Sequence, residues 1–90
     1  MPTFKVYLWE WDTENGEYVY RDYEGETVEA ANEEDLWRTL ESWLRDIAKE
    51  AAGEGWDCEF TPNAELLCTR CEEGYCESRQ IGYDVEKVSP

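Results

Sequence analysis

The stretch TFKVYLWEWDTENGEYVYRDYE, residues 3–24, decides the reading of the fold. Its first half alternates, with Phe4, Val6 and Leu8 on one side and Tyr7, Trp9 and Trp11 on the other, the period-two signature of a strand. Asn15-Gly16 reads as a two-residue type I′ turn, since both residues tolerate positive φ, and residues 17–24 as the returning strand. That turn sets Trp11 opposite Tyr20 and Trp9 opposite Asp22. Trp9, Trp11, Tyr18 and Tyr20 then share one face, and Leu8, Val19 and Tyr23 the other. A hairpin apolar on both sides needs cover on both. A helix can supply one cover; the C-terminal strands, a second copy of the chain in a homodimer, or a different protein must supply the other.

Downstream, GETVEA (residues 25–30) extends the sheet through Thr27 and Val28. Asn32 is then a good N-cap, and Glu33, Glu34 and Asp35 place carboxylates at the positive end of a helix dipole. Leu36, Leu40, Trp43, Leu44, Ile47 and Ala51 recur at helical spacing, and Gly53 and Gly55 stop the helix. Arg38, Arg45 and Lys49 lie on its other side among Glu34, Glu41, Asp46 and Glu50, which reads as a solvated face. Strands are expected at residues 56–60, 64–68 and 80–88, with a turn at residues 61–63. The expectation is an α+β domain over residues 1–90 in the order β-β-α-β-β-β. One amphipathic helix (32–53) packs on a mostly antiparallel sheet, between an N-terminal hairpin with its extension (1–31) and cysteine-containing C-terminal strands (56–88).

ETVEAANEEDLWRTLESWL, residues 26–44, is similar in general shape to the strand-to-helix joint of many small β-β-α domains, HicB-like antitoxin domains among them. The likeness covers about a fifth of the chain and implies neither a function nor a site residue.

Four cysteines, Cys58, Cys68, Cys71 and Cys76, stand in the C-terminal part, and the chain has no histidine. With Cys58 opposite Cys68 across a hairpin, Cys71 one knuckle turn on and Cys76 returning after Gly74, all four sulfurs converge. A closed tetrahedral shell of four thiolates around a structural Zn2+ is the leading expectation. Two disulfides, Cys58–Cys68 and Cys71–Cys76, fit the same spacing, and reduced thiols are the third possibility. The N-terminus lacks the basic start, apolar run and small-residue cleavage site of a signal peptide, and no segment is apolar enough to span a membrane. The expected location is therefore the cytoplasm, the host's if the source is viral, where structural disulfides are disfavoured.

Without histidine there is no Ser-His or Cys-His pair, and no phosphate-cradling glycine loop is present, so an enzyme is not expected. The 23 acidic against 8 basic residues give a net charge of −15, spread along the whole chain. Such a field repels nucleic acid and anionic membranes and favours basic proteins. The candidate partner surface is the aromatic face of the first hairpin, Trp9, Trp11, Tyr18 and Tyr20, ringed by Glu10, Asp12, Glu14, Glu17, Asp22, Glu24 and Glu26. In size and acidity the chain resembles phage anti-CRISPR and anti-restriction proteins. The resemblance implies a non-catalytic inhibitor that presents carboxylates in place of nucleic-acid phosphates to a basic nucleic-acid-binding protein. Alternative expectations are a zinc-stabilised accessory domain adapted to high salt, which the small number of lysines favours, and a thiol redox protein.

Overall fold

The computed structural model describes all 90 residues. The elements run β1 (Thr3–Asp12), β2 (Glu17–Arg21), β3 (Glu26–Glu29), α1 (Glu33–Ala52), β4 (Asp57–Phe60), β5 (Leu66–Glu72) and β6 (Tyr75–Ser89). The expected fold class is present: one helix on an antiparallel sheet, with the extension at Thr27 and Val28 forming a strand of its own, β3. The sheet order is β2-β1-β6-β5-β4, and β3 pairs with β1. β6 is the spine, joined to β5 through Tyr75–Ile81 and to β1 through Arg79–Ser89. Its 15 residues, at about 3.3 Å each, account for the 50 Å length of a body only 22 × 21 Å across.

The helix forms as its sequence dictates. Asn32 takes an extended conformation and its side chain accepts the Asp35 N–H at 2.9 Å. Leu36, Leu40 and Leu44, four residues apart, form one stripe and are fully buried against the sheet. Burial of each contributes about 1.5–3 kcal/mol. Leu36 and Leu40 meet Phe4, Val6 and Ala30; Leu44 meets Leu66, Cys68 and Ile81; Tyr83 packs against both groups. Gly53 closes the helix in a right-handed conformation, and the reversal comes at Gly55, with φ +91°.

The first hairpin departs from the expected register. Its loop is Thr13–Gly16, not Asn15-Gly16 alone, because the Asp12 carboxylate gathers the turn. It accepts the N–H groups of Glu14 (3.0 Å) and Asn15 (3.1 Å) and the Asn15 side-chain amide (2.7 Å). Asp12 therefore faces Glu17 and Trp11 faces Tyr18, and a bulge then carries Glu10 opposite Tyr20 and Trp9 opposite Arg21.

Cys58 does lie opposite Cys68, across a longer loop than expected, Thr61–Glu65. The expected zinc site is absent. Cys58–Cys68 and Cys71–Cys76 are disulfides, no cysteine is free, and no group of side chains is placed to hold a metal. The reason is strand alternation. β5 continues through Glu72 instead of turning after Cys68, so Cys68 and Cys71, an odd number of residues apart, point to opposite faces of the sheet. Cys68 is buried under the helix, whereas Cys71 and Cys76 are exposed beside the β5–β6 turn.

Candidate functional site

α1 covers one face of the sheet, and no helix or second sheet covers the other, where the Asp22–Gly25 turn packs only on Tyr7 and Lys5. On that outer face β1 presents Tyr7, Trp9 and Trp11. Trp9 lies across Gly82 of β6, so closely that a Cβ at Gly82 would come within 2.7 Å of Trp9 Cζ2. Trp11 meets Tyr18 edge to face, with ring centroids 4.8 Å apart. Trp9, Trp11, Tyr18, Gln80 and Asp84 line a shallow depression of about 300 Å³. A second, of about 330 Å³, lies between Tyr7, Arg21, Asp22, Tyr23 and the Asp84–Glu86 segment. Asp84 is common to both.

Of the aromatic set expected from the sequence, Trp9, Trp11 and Tyr18 are brought together. The bulge removes Tyr20, which stands opposite Glu10 on the helix side. Tyr23, expected on that side, instead lies near Tyr7, with the Arg21 guanidinium 5.6 Å from its ring centroid and 4.6 Å from that of Tyr18.

The acidic set does not form one ring. Glu10 lines a cleft beside the C-terminal end of α1, with Glu50, Glu54 and Arg79. Asp12 is 5% exposed and also pairs with Arg79 at 3.3 Å, so it organises the turn and offers nothing to a partner. The Asn15 N–H holds the Asp12 carboxyl below the usual range, with the Asn15 amide, the Glu14 N–H and Arg79 acting in the same sense against the cost of desolvation. Asp22 binds the N–H groups of Glu24 and Gly25. Glu14 accepts the Tyr75 hydroxyl at 2.7 Å, an interaction that raises the tyrosine pKa. Glu17, Glu24 and Glu26 are exposed. Glu26 stands opposite Val6, and its charge adds to the burial that raises the pKa of Tyr83.

The expected partner surface leaves out Tyr7, which alternation places beside Trp9 and Trp11, and it leaves out Arg21, Asp84 and Glu86. Tyr7 donates to Glu86 Oε2 at 2.9 Å, which raises the Tyr7 pKa. The alternation in QIGYDVEKV already placed Asp84 and Glu86 opposite to Ile81, Tyr83 and Val85; what it could not show was that β6 lies beside β1.

The outer face is the apolar centre of a strongly negative body. Asp12, Glu34, Asp35, Glu41 and Glu77 are the acidic residues paired with a base, which leaves 18 of the 23 without one. Such a surface supplies rigid aromatic anchors and long-range attraction for cations. No protein-family profile, curated protein or solved structure gives a significant match to the chain.

Proposed function

We propose that the chain is a small, non-catalytic inhibitor that occupies the basic groove of a nucleic-acid-binding protein by presenting carboxylates where phosphates would lie, in the manner of phage anti-CRISPR and anti-restriction proteins. The observation that carries this reading is the distribution of charge over shape. A net charge of −15 along a 50 Å body is about one charge per 3.3 Å, close to the roughly 3.4 Å per phosphate of a nucleic-acid strand. The outer aromatic face supports it further, because Trp and Tyr anchors add short-range affinity to a long-range field.

Direct binding of nucleic acid or anionic membrane is disfavoured by the same charge, and no helix is long and apolar enough to cross a membrane. A target of this kind places the inhibitor in the cytoplasm, of the host if the chain is viral. The two disulfides pull the other way, since they suit an oxidising compartment. Action in the cytoplasm therefore requires the helix–sheet core to hold after reduction. The test is a DNA-cleavage assay with purified restriction and CRISPR nucleases. Inhibition that excess DNA relieves supports the reading, and full cleavage by all of them at saturating chain contradicts it.

A further inference from the structure

The sheet keeps one long edge open. β6 pairs with β5 only as far as Ile81, so from Gly82 to Ser89 it has β1 on one side and no strand on the other. One hydrogen bond tells which backbone groups face outward. Thr13 N–H donates to Ser78 O at 3.3 Å, which makes this pair, and every second pair after it through Tyr7–Asp84, the hydrogen-bonded kind. The N–H and C=O groups of Tyr83, Val85 and Lys87 consequently point away from β1, and no turn, loop or cap bond reaches them.

The other edges are blunted. β4 is four residues long, and the β2–β3 edge is broken by the bulge and by the turn that Asp22 organises. The β6 edge has one irregularity, at Val88 near its end, and over Tyr83–Lys87 it is protected by charge, which selects its occupant.

The charged part of this edge does not suit a second copy. A two-fold axis normal to the sheet pairs residues of the same face. Centring it on Asp84, Val85, Glu86 or Lys87 sets Asp84 on itself, Asp84 on Glu86, Glu86 on itself or Lys87 on itself. Each register opposes like charges, between bodies that each carry −15.

We infer that the Tyr83–Ser89 edge of β6 is a strand-addition site for an extended basic segment of another protein. Main-chain bonds to Tyr83, Val85 and Lys87 hold the segment. Its alternate residues are basic beside Asp84 and Glu86 on the outer face and apolar beside Tyr83 and Val85 on the helix side, where Trp43 packs against Tyr83. This deepens the proposed function and rests on its claim that the partner is basic.

The probe is a peptide of about ten residues alternating Lys and Val, titrated into the isotope-labelled chain at about 50 mM salt, where charge pairing is least screened. Amide shifts should concentrate at Tyr83, Val85 and Lys87. Val85→Pro removes an N–H that no native bond uses, so it should leave the helical circular dichroism intact. It should weaken binding about tenfold or more, while Val85→Ala, which loses similar packing but keeps the N–H, stays within about threefold. A peptide N-methylated at alternate residues tests the same bonds without altering the protein, and it should not bind. Shifts confined to Trp9 and Trp11, equal affinity for the methylated peptide, or self-association of the chain would each overturn the inference. If a whole basic protein binds and Val85→Pro leaves that affinity unchanged, the edge site fails and the inhibitor reading stands. If neither peptide nor protein binds, both fail.

Discussion

Removing the two disulfides separately should destabilise the chain unequally, and the structure gives the order. Cys58–Cys68 closes a loop with sequence separation 10, and Cys71–Cys76 one with separation 5. The loop-closure entropies amount to about 2.7 and about 2.1 kcal/mol. Cys68 is also buried between Leu44, Leu66 and Ile81, so replacing the first bridge by alanines loses buried sulfur and leaves a small cavity, worth about 1 kcal/mol more. Cys71 and Cys76 are exposed and carry no such addition. Cys58→Ala/Cys68→Ala should therefore cost about 4 kcal/mol and Cys71→Ser/Cys76→Ser about 2 kcal/mol, which for a domain of this size lowers Tm by roughly 15–30 °C and 8–16 °C. The assay is thermal and urea unfolding by circular dichroism at neutral pH. With only 11 of 90 residues buried, the first loss is a large part of a total stability of about 5–15 kcal/mol. Equal losses, or a larger loss from the exposed bridge, would refute the loop-and-burial account. Recovery of the reduced protein's Tm by zinc would refute the placement of Cys68 and Cys71 on opposite faces.

Three further outcomes follow from the same geometry. Asp12, whose folded pKa is lowered, contributes stability that is complete above its unfolded value of 3.8 and is lost as pH falls through the folded value. Asp12→Asn should accordingly lower the urea midpoint at pH 7 and narrow the difference between pH 7 and pH 2. Because 18 carboxylates lack a basic partner, Tm should rise as salt increases from about 10 to 150 mM, with the chain already folded at the low end; a chain that folds only in molar salt would favour salt adaptation instead. Gly82→Ala should displace the Trp9 indole at a cost of about 1–3 kcal/mol, read as a change in tryptophan fluorescence and a lower Tm.

The parts of the fold written in short-range pattern were legible. The Asn32 cap, the Leu36/Leu40/Leu44 stripe, the alternation of residues 3–11 and the facing of Cys58 and Cys68 are all present. The hairpin register was not legible, because a dipeptide rule weighs Asn15 and Gly16 but not a carboxylate at Asp12 that binds three donors around the turn. The cysteine site was misread for a similar reason. Cys-x2-Cys brings sulfurs together only where the chain turns, and β5 runs straight through it. At the candidate face, Trp9 and Trp11 were found from alternation, and Tyr18 from the expected turn, whose register differs from the observed one but leaves Tyr18 on the same face. Tyr23, Arg21, Asp84 and Glu86 depended on a bulge and on the pairing of β1 with β6, strands at opposite ends of the chain, which no local pattern encodes.

The claim that the body stands in for a nucleic acid is tested most directly by competition. Binding of the chain to purified basic DNA-binding nucleases would be measured with and without duplex DNA while salt is raised from about 50 to 200 mM. The account predicts mutual exclusion with DNA and an affinity that falls about tenfold or more over that range. Binding that leaves DNA in place and holds steady across the salt series, or no binding to any of these nucleases, would contradict it.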